Sequence, residues 1–244
     1  MIIVDVGNTT IHFAWERKRK IRKHFKLETQ KATSASIRKV LLSTFDKDIV
    51  VCSVVPAITK LFKKKLPNGK KVYIVGQNIK VPIKSFYDKR TIGMDRLVAA
   101  FAAKVFYPST RLVIDFGTAI TFDFLSKNND YQGGLILPGI GSTLKVFSGC
   151  ALLPYKINKK RKQHLVPRDT HESINQGVDE GFSCMVNGMV EKYRKKLKFK
   201  KTDKIVITGG EAETIMKYLK FTNIYDKNLI LNGLVALRCL TSES

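Results

Sequence analysis

Cysteine is scarce in this sequence, and the few cysteines lie far apart. The 244 residues include four, none of which forms a CxxC pair or combines with histidine at the spacing of a zinc site: Cys52, Cys150, Cys184 and Cys239. The four histidines do not cluster at metal-binding spacing either. This distribution argues against a disulfide-stapled or zinc-binding domain, and we expect buried, reduced thiols.

Long apolar segments are also missing. Charged or turn residues interrupt every candidate before it reaches the ~20 residues that span a bilayer. The chain begins directly with a strand-like segment leading to Asp5, without the basic segment, long apolar core and cleavage site of a signal peptide. These absences predict a cytoplasmic protein with no membrane partner.

Acidic residues are few compared with basic ones. The sequence has 44 Lys and Arg against 20 Asp and Glu, a formal net charge of +24. Such a charge attracts polyanions, so nucleic-acid binding has to be considered. The basic runs are nevertheless spread over predicted turns and helix ends without interleaved aromatic residues, at 17–20, 63–65, 159–162 and 195–201. We therefore expect a solvated basic surface with no specific nucleic-acid site, although its field could attract an anionic nucleotide and substrate.

The sequence has no GxxxxGK[ST] phosphate loop. It has instead the stretch 111–125, RLVIDFGTAITFDFL, which reads as a strand ending in Asp115, a turn of Gly117, Thr118 and Ala119, and a second strand running to Phe124. In such a turn glycine lets backbone N–H groups approach phosphate oxygens, hydroxyls donate, and the acid can hold a cation. An ordinary β-hairpin with an Asp/Gly bend is the alternative for this stretch alone.

The N-terminus repeats this pattern. Residues 2–11, IIVDVGNTTI, align with residues 112–121, LVIDFGTAIT, so that Asp5 matches Asp115 and Gly7 matches Gly117. Two copies, each opening half of the chain, indicate a duplicated module with two phosphate turns facing each other across a cleft. We place the lobes at residues 1–105 and 106–244 and predict an α/β fold.

Hydrophobic patterning predicts the elements of both lobes. Strands are expected over 2–6, 10–16, 20–27, 48–55, 71–75, 131–137 and 204–208, in addition to the two strands around Asp115. Helices are expected from Ser34 or Ser36, with Ile37, Val40, Leu41 and Leu42 on one face, from Pro56, and over 140–150, 211–219 and 229–240. A long basic loop at 153–168 precedes a helix opened by Asp169 and Thr170, with Ile174, Val178, Phe182, Met185 and Met189 at helical spacing. Thr170 is read as the cap of this helix.

Two further segments carry candidate site residues. An alanine-rich helix over 97–103 follows Gly93-Met94-Asp95-Arg96 and must be buried. Asp95 therefore lies in a first helical turn, where the macrodipole stabilises its ionised form; an acid that merely favours a helix start is the alternative. The strand KIVIT leads into Gly209-Gly210, which reads either as an ordinary turn or as a place where a ligand approaches the backbone.

Five motifs in chain order resemble those of the type III pantothenate kinases: DVGNT at 5–9, GMDR at 93–96, DFGTAITFD at 115–123, GGLILPG at 133–139 and TGGEA at 208–212. The resemblance covers nearly the whole chain. The family is a small branch of the superfamily that includes acetate kinase, sugar kinases, heat-shock-70 chaperones and actin. It implies two duplicated actin-like (ribonuclease H-like) lobes with a nucleotide cleft between them, and transfer of the γ-phosphoryl group of ATP to pantothenate, the first step towards coenzyme A.

The resemblance also implies roles for individual residues. Asp95 would be the catalytic base, and Asp115 would hold a monovalent cation, K⁺ or NH₄⁺. ATP and Mg²⁺ would be bound by Asp5, Val6, Gly7, Asn8, Thr9, Thr10, Ile11, His12, Thr118, Gly209 and Gly210. Pantothenate would contact Tyr87, Gly93, Met94, Asp95, Arg96 and Thr170, and the family's homodimer would help to enclose it. The proline that usually lies near the family's tyrosine is absent beside Tyr87, where Arg90 stands, and the spacing to Gly93 is one residue short.

Two other functions remain open at this point. One is a different actin-like phosphotransferase, or a polyphosphate hydrolase, that uses the same cleft. The other is a basic, nucleic-acid-associated accessory regulator, because some members of the family have been described as accessory transcription factors.

Overall fold

The computed structural model describes residues 1–63, 69–88, 90–147 and 164–242. Its strands are β1 Ile2–Val6, β2 Thr10–Arg17, β3 Lys20–Glu28, β4 Asp48–Ser53, β5 Lys71–Ile74, β6 Thr110–Phe116, β7 Ala119–Leu125, β8 Tyr131–Pro138, β9 Lys204–Thr208 and β10 Ile224–Tyr225. Its α-helices are α1 Ser34–Leu42, α2 Pro56–Lys63, α3 Met94–Phe106, α4 Ile140–Val146, α5 Thr170–Lys196, α6 Ala212–Ile215 and α7 Leu229–Ser242. Short 3₁₀ turns lie at Thr29–Lys31 and Met216–Tyr218.

The strands form two five-stranded sheets, one from each half of the repeat. The first has the order β3-β2-β1-β4-β5, with β1 antiparallel to β2 and parallel to β4. The second has the order β10-β9-β6-β7-β8, in which the equivalent strand β6 lies between β7 and β9. Two such sheets with helices confirm the predicted α/β class.

Alternating side chains give the first sheet two buried faces. Ile2, Val4 and Val6 of β1 face α1 and α2, which contribute Ile37 and Phe62 among others. The opposite face packs on α3 and α7 through a second apolar cluster that includes Ile3, Val50, Val98 and Leu234. Asp5 lies on this second face, at the carboxyl end of β1.

Contacts divide the chain into two compact units. The first consists of residues 1–110, 123–133 and 228–244, and the second of 111–122 and 134–227. Asp5, near the end of β1, lies in the first unit, and Asp115, near the end of β6, lies in the second. The boundary between the two lobes that we placed between residues 105 and 106 stays a prediction.

Several predicted helix details are corrected. The N-cap of α1 is Thr33, which forms a capping box with Ser36, and Leu42 is exposed while Ile37 and Leu41 are buried. The cap of α5 is Asp169, whose side chain accepts from the Glu172 N–H. The helix expected over 211–219 is only one turn of α6 followed by a 3₁₀ turn. Pro56 does begin α2, as predicted.

The buried side of α5 and the cysteines also differ from expectation. Val178 is buried as predicted, but the other buried apolar residues of α5 are Val186 and Val190, so the rest of its buried stripe is offset from the predicted one. Cys52 is buried, but Cys184 is exposed and Cys239 half-buried. Residues 148–150 of the predicted helix, Cys150 and most of the predicted basic loop lie outside the described residues. Among the described helices, none combines the length and apolar character needed to cross a bilayer.

Candidate active site

The first phosphate turn joins β1 to β2 and is held by backbone bonds. The Gly7 N–H donates to the Thr10 carbonyl at 3.0 Å, closing the turn. Thr29 also stabilises the turn. Its hydroxyl donates to the Gly7 carbonyl at 2.7 Å, and its N–H donates to the Thr9 carbonyl at 2.9 Å. Asn8 and Thr9 are exposed. The role of Thr29 was not predictable from the sequence, because nothing in its local pattern distinguishes it from other polar residues.

The flanking positions of this turn contribute mainly backbone. Val6 and Ile11 point into the hydrophobic core, and Thr10 is half-buried. Their predicted part in nucleotide binding can therefore involve main-chain groups and the shape of the turn, whereas side-chain contacts fall to Asn8 and Thr9.

Asp5 lies in a row of side chains that crosses three strands. It pairs directly with His12 on β2 and with Cys52 on β4. Burial, and secondly the negative charge of Asp95, raise the pKa of Asp5 to about 7. Two acids thus share one region of the first unit. This arrangement favours a bound cation, because a positive charge would relieve both burial and repulsion.

The elevated pKa of Asp5 predicts a pH-dependent stability. Asp5 holds its proton more tightly in the folded chain than in the unfolded one, so its contribution to folding is complete below about pH 4 and is lost as the pH rises to about 7. In metal-free buffer, the melting temperature of the wild type relative to Asp5→Asn should fall over this range. Asp130→Asn, in the turn before β8, is the control and should follow the wild type. A constant difference between wild type and Asp5→Asn would contradict the prediction.

His12 makes a contact that its position in the sequence does not suggest. Its Nε2 lies 2.9 Å from Nδ1 of His24 on β3, and the rings are 5.0 Å apart. Burial, followed by the charges of Lys26 and His24, lowers the pKa of His12 to about 4, so the ring is neutral at pH 7. Within the described residues, no group of three or more His, Cys, Asp or Glu side chains is placed to hold a metal ion.

Asp95 lies in the first turn of α3, two residues after the N-cap Gly93. Its Oδ1 accepts the Arg96 N–H at 2.8 Å. A Cβ on Gly93 would lie 2.4 Å from the same oxygen, so glycine is required to leave room for the carboxylate. Contrary to the stabilisation of its ionised form expected from the helix dipole, the pKa of Asp95 is raised, because burial outweighs the backbone hydrogen bond.

Arg96 and Tyr87 come together beside this turn. The Arg96 guanidinium carbon lies 5.5 Å from the centre of the Tyr87 ring, and Tyr87 meets Tyr131 edge-on at 6.1 Å. Gly133 allows this close packing, since a Cβ there would lie 3.3 Å from Cδ2 of Tyr87. The altered spacing around Tyr87 therefore does not separate it from Arg96. Arg90, which stands where the usual proline is missing, pairs with Asp88 on the surface.

A cavity of about 350 Å³ opens at the carboxyl ends of β4 and β5 in the first unit. Met94 lines it, and the Met94 sulfur also covers Gly76, where a Cβ would lie at 2.7 Å. The other lining residues include Ser53, Val54, Thr59, Lys60 and Lys63. This is the position where open α/β sheets commonly bind ligands, and its volume suits a small molecule.

The second phosphate turn, in the second unit, is packed by glycines. A Cβ on Gly139 would lie 2.1 Å from the Gly117 carbonyl oxygen, so only glycine fits at this position after β8. The Gly139 N–H and the Ser142 hydroxyl donate to the Thr118 carbonyl at 2.9 and 2.7 Å. Thr118 itself is exposed, as a ligand-binding hydroxyl requires.

Gly209 lies against the same turn. It has a φ of +99°, and a Cβ there would lie 2.4 Å from both Asp115 Oδ1 and the Phe116 carbonyl oxygen. Glu211, two residues later, donates its N–H to that carbonyl at 2.9 Å and accepts the Gly141 N–H at 3.1 Å. By contrast, a Cβ on Gly210 would meet nothing within 4 Å. The second unit thus brings together Asp115, Thr118 and Gly209, and Thr170 lies apart in the sequence as the first residue of α5.

Comparison with known proteins gives a consistent result. A family model described as type III pantothenate kinase matches residues 1–192. A type III pantothenate kinase of Persephonella marina is 34% identical over 247 residues, with 95% of each chain covered.

Solved structures support the fold. A Campylobacter jejuni protein named as a candidate Baf family transcriptional activator has a TM-score of 0.66 at 22% identity, with 100% of both chains covered. Component A of (R)-2-hydroxyglutaryl-CoA dehydratase from Acidaminococcus fermentans has a TM-score of 0.56 at 13% identity, covering 97% of this chain and 96% of that one. At these identities the likeness concerns the fold alone.

Proposed function

Because the chain belongs to the type III pantothenate kinase family, we propose that it transfers the γ-phosphoryl group of ATP to the primary hydroxyl of pantothenate, with Asp95 as the base. This is the first step of coenzyme A biosynthesis. The observation that supports Asp95 is its setting, a partly buried carboxylate in the first turn of α3, next to Arg96 and to a residue that lines a cavity. A coupled assay of ADP formation that depends on pantothenate tests the proposal.

Asp95 orients the attacking hydroxyl and accepts its proton. The Arg96 N–H holds Oδ1, which limits rotation of the carboxylate. As the hydroxyl oxygen forms its bond to the γ-phosphorus, the bond from phosphorus to the β,γ-bridging oxygen breaks, ADP leaves, and the proton passes to Asp95. The raised pKa of Asp95 makes it a stronger base than an exposed aspartate. This basicity is sufficient, because the proton is transferred late in a loose transition state.

The cavity beside Met94 is where we expect pantothenate to bind. Lys60 and Lys63 give its lining positive charge and Val54 contributes an apolar wall, which suits a small substrate with an apolar body and a carboxylate. Gly93, Tyr87 and Arg96 would add contacts on the Asp95 side. Thr170, at the start of α5, is the remaining proposed substrate contact.

Asn8 and Thr9 of the first turn and Thr118 of the second are our proposed phosphate ligands, and Gly209 and Gly210 would lie beneath the adenosine. Asp5 would hold Mg²⁺ together with the ATP phosphates. One partly buried carboxylate fits this ion, because Mg²⁺ commonly takes one or two carboxylates plus substrate phosphates. When bound, it neutralises charge on the transferred group, which a chain without a phosphate-loop lysine needs.

Asp115 has surroundings that fit a monovalent cation. It lies in the second predicted phosphate turn, where its Oδ1 and the Phe116 carbonyl oxygen lie near each other beside Gly209, and oxygen donors are what K⁺ takes. We propose that Asp115 holds K⁺ or NH₄⁺ there, adding positive charge beside the phosphates.

Activity should consequently depend on potassium. The expected result is low turnover in sodium-only buffer and recovery on addition of K⁺ or NH₄⁺, because the cation supplies charge that no loop lysine provides. Asp115→Asn should weaken the response. Full activity after rigorous removal of potassium and ammonium would contradict this assignment.

We further propose a cytoplasmic homodimer in which the partner subunit helps to enclose pantothenate. Sedimentation of the purified chain at several concentrations, with and without pantothenate, measures the oligomeric state. A monomer that is fully active would remove the partner from the site.

The accessory-regulator alternative is supported by the +24 charge. If that charge is instead only a diffuse basic surface, the protein should bind DNA or RNA weakly, without sequence preference, and release it steeply as salt rises, because affinity then comes from counterion release. Fluorescence anisotropy with two unrelated duplexes over a salt series measures both properties. Tight, sequence-selective binding at physiological salt would favour the regulator instead.

A further inference from the structure

The guanidinium of Arg96 is held by a buried carboxylate. Its Nε donates to Oδ1 of Asp123 at 2.8 Å, and Nη2 lies 2.7 Å from the same oxygen. Arg96 is 6% exposed and Asp123 is 1% exposed. Burial by itself would lower the pKa of Arg96, but the charge of Asp123 and the hydrogen bond to it leave that pKa raised. The guanidinium is therefore fixed in its charged form.

Tyr131 holds the carboxylate in turn. Its hydroxyl donates to the same Oδ1 of Asp123 at 2.7 Å, and its ring, which is fully buried, lies 5.9 Å from the Arg96 guanidinium carbon. Burial, followed by the charge of Asp123, raises the pKa of Tyr131, so the phenol stays protonated and remains a donor. Asp123 is thus oriented from two sides, and Arg96 lies close to two aromatic rings.

Such a network is a poor means of stabilising a fold. A buried ion pair gains little net stability over a well-packed apolar cluster of the same volume, because both charges lose their hydration. Here both Nε and Nη2 of Arg96 face a single carboxylate oxygen, and Nη2 makes the ion pair at 2.7 Å without a hydrogen bond of good geometry among the described residues. An arginine held in this way suits the binding of a ligand oxygen, because the guanidinium carries five N–H donors and Asp123 faces only its Nε and Nη2 edge.

We propose that Asp123 and Tyr131 are positioning residues that hold Arg96 as the group that binds an oxygen of pantothenate. The inference rests on the proposed function and adds two residues that do not touch the reacting atoms. Arg96 directly follows Asp95 and gives it a backbone hydrogen bond, so the same first turn of α3 carries both the base and the substrate-binding cation. Asp123 and Tyr131 link that turn to β7 and β8.

Tyr131→Phe is the sharpest test, because it removes one hydroxyl and keeps the ring. The KM for pantothenate should rise by about ten-fold, the magnitude expected for loss of a hydrogen bond to a charged group, whereas the KM for ATP and kcat at saturating pantothenate stay unchanged within error. In an Arg96→Lys background the same change should add little, since coupled residues are not additive.

The chain contains a matched control. Arg238 pairs with Asp48 at 2.8 Å, donates to the Tyr73 hydroxyl at 3.3 Å, and lies 4.3 Å from the Tyr73 ring. This second set of Arg, Asp and Tyr involves the start of β4, away from the Asp95 turn. Tyr73→Phe should leave both KM values unchanged. Melting temperatures of both variants report any general loss of structure.

The outcomes separate the possibilities. If Tyr131→Phe folds and its KM for pantothenate equals that of the wild type, the positioning role is wrong, and an additive effect in the Arg96→Lys background would also reject it. If Tyr131→Phe melts too early to assay, Asp123→Asn measured below its melting temperature gives the same comparison. A wild-type chain without pantothenate-dependent ADP formation would reject the proposed function as well, whereas normal wild-type turnover with an unchanged variant rejects this inference alone.

Discussion

Asp95→Asn is expected to lower kcat by roughly 10²- to 10⁴-fold while ATP binding survives. Asparagine keeps the size of the side chain and one acceptor oxygen, so the Arg96 N–H can still be bound, but it cannot accept a proton. The coupled ADP assay gives kcat and KM, and titration with a non-hydrolysable ATP analogue gives nucleotide affinity.

Asp115→Asn provides the contrast for this experiment. Asp115 lies near the end of β6, before a turn suited to a cation, so its replacement should impair potassium activation or nucleotide binding. Near-normal turnover of Asp95→Asn would show that Asp95 is not the base. Loss of ATP affinity by Asp95→Asn with turnover intact at saturation would equally reject the assignment.

Gly209→Ala should strongly destabilise the second unit. The residue has a φ of +99°, and its Cβ would overlap Asp115 Oδ1 and the Phe116 carbonyl oxygen at 2.4 Å. Backbone strain of this kind costs about 1–3 kcal/mol, and each kcal/mol lowers the melting temperature by roughly 2–4 °C in a chain of this size. We expect a fall of several degrees, together with a loss of potassium activation as Asp115 is displaced.

Gly210→Ala is the matched control, because a Cβ there meets no protein atom within 4 Å. Its melting temperature should equal that of the wild type. If the adenosine lies against this turn, the KM for ATP should nevertheless rise, since the methyl group would meet the base. An unchanged melting temperature for Gly209→Ala would contradict the first prediction, and an unchanged KM for ATP in Gly210→Ala would remove the adenosine from this position.

Much of the architecture could be predicted from the sequence. The repeat of Asp5 and Gly7 by Asp115 and Gly117 predicted two related halves, and two five-stranded sheets are present. The apolar run after Gly93 predicted the buried helix α3. These predictions hold because strand alternation, helical spacing and the special backbone requirements of glycine are local properties.

Details set by tertiary packing were not predictable in this way. The caps of α1 and α5 are Thr33 and Asp169 because the observed chain path brings those side chains to the free N–H groups. The exposure of Cys184 follows from which side of α5 is covered. A single helical period leaves that choice open when apolar residues occur on more than one side.

The sequence by itself determined the fold class, the two turns and the position of Asp95 at a helix start, since each depends on neighbouring residues. Only the tertiary structure decided the pKa values and the long-range partners of these groups. It raises the pKa values of Asp5 and Asp95 through burial, and it joins Arg96 to Asp123, 27 residues away, and Asp123 to Tyr131. Burial and long-range pairing depend on how strands and helices pack, and no local pattern encodes either one.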